Sequence, residues 1–76
     1  MEKFKDVIAG NTPVLVDFYA TWCQPCRAMH PVLEEVKKTL GDKIRIIKID
    51  MDRYQAVAEE YRIQSVPTLL IFRNGE

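Results

Sequence analysis

Two cysteines, Cys23 and Cys26, lie in the run TWCQPC, at the point where one structural pattern gives way to another. Before them comes VLVDFYA, nearly all apolar and rich in β-branched and aromatic residues. After them comes RAMHPVLEEVKKTL, with apolar residues at helical spacing. A Cys-x-x-Cys at a strand-to-helix junction in a βαβ pattern reads as a redox dithiol rather than a structural cross-link. The reason is the helix N-terminus. Unpaired backbone N–H groups and the positive end of the macrodipole favour the thiolate there, and the thiolate is the reactive form of cysteine.

Two other uses of the pair weigh less. A disulfide closing so short a loop constrains the unfolded chain by only about 2 kcal/mol, against about 3 for a 15-residue loop. Two cysteines are also too few for a disulfide-framed secreted scaffold. A zinc site needs about four N or S ligands. The chain offers the two cysteines and one histidine, His30, so zinc would require a second chain or a further segment.

With 76 residues and a formal net charge of zero, residues 1–76 form one small domain, near the size where a core supplies only ~3–5 kcal/mol. The charge balance gives no reason to expect nucleic-acid or anionic-membrane binding. No apolar stretch approaches the roughly 18 residues of a spanning helix. The opening MEKFKDVIAG has no signal-peptide h-region. Taken as a true start, it predicts a cytoplasmic protein, a setting in which a dithiol is kept mostly reduced.

Phe4, Val7 and Ile8 fall at i, i+3 and i+4 and predict a short amphipathic helix ending at Gly10. Residues 14–19 predict a strand covered on both faces. Met29, Val32, Leu33, Val36 and Leu40 mark one face of a long helix, with Lys37 and Lys38 at its negative end and Gly41 as its C-cap. Ile44 to Ile49 predicts a second strand. Asp52 with Gln55 is a capping-box-like start for a third helix, whose buried stripe would be Tyr54, Val57, Ala58 and Tyr61. Pro67 opens a third strand, Thr68 to Arg73, and Asn74-Gly75 signals a two-residue hairpin turn after it. The order is α-β-α-β-α-β, and the βαβ unit implies a parallel pair.

Taken together, VLVDFYATWCQPCRAMHPVLEEV and KIDMDRYQAVAEEYRIQSVPTLLIFRNGE resemble the thioredoxin family across nearly the whole chain. The likeness rests on an aspartate in the strand before the dithiol, Trp22 beside Cys23 and Pro31 inside the following helix. A Val-Pro-Thr opening the late strand and an Asn-Gly-Glu after it complete it. Gln24 departs from it, standing where thioredoxins usually carry glycine. The resemblance implies an α/β thioredoxin-like fold: a short central mixed sheet with helices on both faces and the third strand antiparallel beside the first. The usual first strand, and the usual last strand and helix, are lacking. It implies a protein-disulfide reductase serving redox homeostasis, with no cofactor beyond a Cys23–Cys26 disulfide. Its partners would be disulfide-containing client proteins and a flavin-containing, NADPH-dependent thioredoxin reductase. Because Gln24 bears on redox potential, a disulfide oxidase or isomerase of the same superfamily stands as an alternative. From other classes come a metal-bridged interaction module and a minimal scaffold kept for its fold.

Within that frame each residue takes an expected role. Cys23, nearest the helix end, is the nucleophile and Cys26, one turn further in, the resolving thiol, while Pro25 suits a first turn where its missing N–H costs nothing. Asp17 is a carboxylate in an apolar strand, and buried aspartates are rare unless paired. It reads either as a base toward Cys26 with a pKa raised by burial or as an ion-pair partner of Lys48. The resemblance favours the base, with Lys48 supporting. Trp22, Gln24, Pro25, Val66 and Pro67 would form the client-docking rim. The Val66–Pro67 bond would be cis and face the dithiol, with Val66 pairing to the client backbone as a β-augmentation contact. His30 is expected at the surface, too far from Cys23 to activate it, and Pro31 as a kink. With no return strand, Thr68 to Arg73 would be an exposed edge inviting weak self-association, beside an uncovered sheet face.

Overall fold

Three runs of strand-forming residues pair into one sheet in the computed structural model, which describes residues 4–76. β1 is Val14–Tyr19, β2 is Arg45–Asp50 and β3 is Thr68–Phe72, in the order β2-β1-β3. The most continuously apolar strand takes the centre. β1 runs parallel to β2 and antiparallel to β3, the mixed arrangement that the resemblance implied. The helix α1 (Phe4–Val7) precedes β1, α2 (Gln24–Leu40) crosses from β1 toward β2, and α3 (Gln55–Glu60) lies between β2 and β3.

Side chains alternate across a strand, so β1 feeds two cores. Val14, Val16 and Phe18 join Ile8 and Phe72, and this set is flanked by Phe4, Ile47, Ile49, Val57, Tyr61 and Leu70 from the strands and from α1 and α3. Phe4 meets Phe72 and Tyr61 edge to face at 5.7 and 5.4 Å, which anchors the short α1 by aromatic contact where four residues of helix could not hold themselves. Leu15 packs on the other face with Leu33, Ile44, Met29 and Ile46, under α2. Each fully buried aliphatic or aromatic side chain contributes about 1.5–3 kcal/mol. By the same alternation Asp17 belongs to the α2 face.

The ends of α2 follow the sequence signals. Gly41 caps its C-terminus at a positive φ of 55°, and its N–H donates to the Lys37 carbonyl. Lys37 Nζ donates to the carbonyls of Gly41 and Ile44 at 2.9 and 2.7 Å, holding positive charge at the negative helix end. Pro31 lies inside α2, which continues through it from Gln24 to Leu40. The expected apolar stripe is only partly buried: Leu33 is sealed, whereas Val32 is 54% exposed and Leu40 is also exposed. On the same face Leu69 and Ile71 of β3 are exposed, Ile71 by 67%. α2 covers β1 and β2 there and leaves β3 open, as the expectation of an uncovered face required.

The start of α3 differs from the capping-box expectation. Its N-cap is Tyr54, with no side-chain cap, and Tyr54 is exposed rather than part of the buried stripe. Asp50 takes over the turn: its Oδ1 accepts the Asp52 N–H at 3.0 Å, and its carbonyl accepts the N–H groups of Arg53 and Tyr54. Gln55 donates to the Asp52 carbonyl, so the Asp52 carboxylate is released from capping. At the far end Asn74-Gly75 forms the expected turn. Both residues have positive φ, 56° and 83°, and Arg73 and Glu76 exchange both backbone hydrogen bonds. The turn is seated by Asn74 and Gly75 N–H groups donating to the carbonyls of Gly10 and Ile8.

Candidate active site

Cys23 is the N-cap residue of α2, with extended backbone (φ −88°, ψ 109°), and its Sγ accepts the Cys26 N–H at 3.1 Å. Serine and aspartate fill this role in ordinary helices, their oxygen satisfying one of the four free N–H groups of the first turn. Here a sulfur does so, at the positive end of a 17-residue helix. Pro25 occupies the first turn, where it loses no hydrogen bond. The two cysteines are joined as a disulfide with Cα atoms 5.3 Å apart. Both are buried, so exposure does not separate them. Position at the cap does.

The Val66–Pro67 peptide bond is cis, and Val66 packs on the cluster of Ala20, Cys23 and Cys26. Gln24 and Pro25 are exposed beside it, and Trp22 is 70% exposed. The rim residues named from the sequence therefore meet around the dithiol. Trp22 is held in place: its Nε1–H donates to Asp52 Oδ2 at 2.9 Å across 30 residues of sequence. The Arg27 guanidinium donates to the Thr21 carbonyl at 2.8 Å and braces the same loop. Asp52 was legible only as a helix-capping residue, because no local pattern signals a contact from one loop to another.

Asp17 is fully buried, and neither carboxylate oxygen has a hydrogen-bond partner among the described residues. Lys48 lies beside it in the β1–β2 register and Leu69 on the β3 side. Lys48 is exposed and makes no ion pair with it, so the structural ion-pair alternative is not realised. Burial pushes the Asp17 carboxyl up from its ordinary 3.8, opposed first by His30 and then by Lys48. His30 departs from its expected surface position. It is half-buried, its Nε2 is buried without a protein partner, and its ring stands edge-on to Tyr19 with centroids 6.4 Å apart. The i+4 spacing from Cys26 already placed it on the Cys26 face of the helix. Among the described residues no group of three or more His, Cys, Asp or Glu is placed to hold a metal ion.

Comparison with known proteins agrees with this geometry. The family described as Thioredoxin matches residues 1–76. A thioredoxin-like protein of Synechocystis is 53% identical over 75 residues, covering 97% of this chain and 71% of that protein. Chloroplastic thioredoxin Y of Oryza sativa is 56% identical over 67 residues, covering 88% of this chain but 40% of that protein. Oxidised mitochondrial thioredoxin 3 of Saccharomyces cerevisiae superposes with a TM-score of 0.89 at 34% identity, covering 96% of this chain and 68% of that one. These relatives correct the cytoplasmic expectation. One is chloroplastic and one mitochondrial, so a cytoplasmic location is not supported.

Proposed function

The chain belongs to the thioredoxin family and is a disulfide oxidoreductase of that type, and on that premise we propose that it works as a protein-disulfide reductase, with Cys23 as nucleophile, Cys26 as resolving thiol and Asp17 as proton acceptor. Thioredoxins work through their own redox-active disulfide and require no separate cofactor. In the reduced protein the Cys23 thiolate attacks one sulfur of a client disulfide. A Cys23–client bond forms, and the other client sulfur leaves as a thiolate. Asp17 takes the proton of Cys26, whose thiolate then attacks Cys23 Sγ and expels the second client sulfur. The client gains two electrons and the protein is left as the Cys23–Cys26 disulfide.

The observation that carries this reading is the Cys23 sulfur at the cap of α2, accepting a backbone N–H that would stabilise its thiolate. The buried, unpaired Asp17 supports the second half, because a carboxyl with a raised pKa is suited to remove a thiol proton near neutrality. Clients would dock on Trp22, Gln24, Pro25, Val66 and Pro67. An NADPH-dependent thioredoxin reductase would return the electrons, and maintenance of redox homeostasis would be the cellular result. Equilibration with a glutathione buffer tests the direction of flow, which Gln24 bears on. A reductase is expected to sit below the glutaredoxin range of about −200 to −230 mV. A value at or above about −180 mV, as in protein disulfide isomerase, would make the protein an oxidase or isomerase.

The same reading includes weak self-association through β3. Its outer edge is unpaired among the described residues, and Ile71 projects exposed beside it. An open apolar edge templates pairing with another strand, and a lysine placed there suppresses it. Sedimentation velocity of the 76-residue chain is expected to show a sedimentation coefficient rising with concentration, with Ile71→Lys removing the rise. The same concentration dependence in Ile71→Lys would place the contact elsewhere.

A further inference from the structure

Behind the dithiol is a recess of about 210 Å³ lined by Tyr19, Ala20, Thr21, Cys26, Arg27 and His30. Asp17 does not line it but lies two residues from the lining Tyr19 on the same face of β1, and His30 stands edge-on to that tyrosine at 6.4 Å. Asp17 is sealed from solvent, and both its oxygens lack protein partners. His30 Nε2 shares that condition: it is buried and unpartnered, one helical turn beyond Cys26 on the same face of α2. Three buried polar atoms without partners in one small region call for an explanation. A proton-transfer path accounts for all three.

We propose that His30 is a positioning residue for the resolving step, carrying the proton exchanged at Asp17 to and from the solvent-open recess behind Cys26. The inference rests on the assignment of Asp17 as proton acceptor for Cys26. Cys26–SH gives its proton to the Asp17 carboxylate, and the Cys26 thiolate attacks Cys23 Sγ and expels the client thiolate. Asp17–COOH then passes the proton through an intervening water to His30 Nε2, and His30 releases it to water in the recess. A sealed carboxyl needs such an outlet to be ready for the next turnover. The charged and titratable groups facing this region are Asp17 and Tyr19 on β1, Cys26, Arg27 and His30 on α2, and Lys48 on β2; β3 contributes the apolar Leu69. Arg27 is occupied with the Thr21 carbonyl and, as a guanidinium, does not give up a proton. Histidine is the side-chain type whose ordinary charge change falls between about pH 5 and 8. Its positive form also favours the Asp17 carboxylate, so one residue both lowers the cost of ionising the base and empties it.

The test uses the reduced protein and an aromatic disulfide, 5,5′-dithiobis(2-nitrobenzoate), whose two thiolates are released one at a time. Attack by Cys23 frees the first and attack by Cys26 frees the second, so stopped-flow absorbance separates the steps across pH. His30→Gln is expected to leave the first release unchanged, slow the second about three- to tenfold near neutrality, and displace its rising limb to higher pH by up to about one unit. In His30→Ala, added imidazole is expected to restore the second release. A second release in His30→Gln that overlays the wild-type profile overturns the proposal. So does equal slowing of both steps without imidazole rescue, which would mean that His30 only packs. Asp17→Asn separates the two levels of inference: if it leaves the second release intact, the proton-acceptor assignment itself has failed. If Asp17→Asn slows that release and His30→Gln does not, only the role of His30 is lost.

Discussion

Cys26→Ser is expected to arrest the protein after a single event, leaving it covalently joined to its client through Cys23. The first step needs only the Cys23 thiolate, whose stabilisation by the cap of α2 depends on the backbone N–H of residue 26 and not on that residue's side chain. The second step needs a thiolate at position 26. A serine hydroxyl at the same place stays protonated near neutrality and does not displace a sulfur, so the mixed disulfide has no intramolecular exit. Release of the second client thiol should fall to the uncatalysed level, and intact mass should show one client added per chain. Cys23→Ser provides the contrast. It leaves Cys26 inside α2, where its sulfur does not occupy the helix cap, and no adduct should accumulate. Iodoacetamide labelling of the reduced wild-type protein just below neutral pH should likewise fall on Cys23. An adduct through Cys26 in Cys23→Ser, or preferential labelling of Cys26, would reverse the assignment of roles.

The residues that set these roles differ in how far the sequence alone disclosed them. The dithiol, its place at a helix start and the central position of β1 follow from local patterns: a change of hydrophobic period around TWCQPC, a proline in the first turn and an uninterrupted apolar strand. Asn74-Gly75 was equally legible, since two positive-φ residues specify the turn without help from the rest of the fold. The start of α3 was not. Asp52 and Gln55 have capping-box spacing, yet the Asp50 side chain and carbonyl take the turn, and tertiary contact uses the freed Asp52 carboxylate to fix Trp22. Val32 and Leu40 misled for a related reason. Helical periodicity reports which residues could face a core, but burial depends on what lies across from them, and β3 has no cover on the α2 face. His30 shows the opposite error. Histidine has no strong preference for burial, whereas its i+4 relation to Cys26 places it against the recess.

Asp17→Asn is expected to separate function from stability. If Asp17 accepts the Cys26 proton, the amide removes the base while keeping shape and volume. The second step should then slow by about a hundredfold near neutral pH, the lower end of general-base contributions, with the first step nearly unchanged. Stability should move the other way. Burial raises the folded-state pKa of Asp17 above its ordinary 3.8, so between those two values the native state holds a proton that the unfolded state has lost. Stability therefore falls as pH rises from the ordinary carboxylate range through the raised pKa, and the full cost of the buried charge is present only above it. Asparagine does not titrate. The variant should accordingly match the wild type near pH 4 and exceed it at about pH 8, by on the order of 1–3 kcal/mol, the usual cost of an unsatisfied buried polar group. Denaturant midpoints at the two pH values measure this directly, with an unchanged slope showing that the same surface unfolds. A variant with normal second-step kinetics and reduced stability at pH 8 would sink the base assignment, because that pair of results is what a carboxylate with a purely structural role produces.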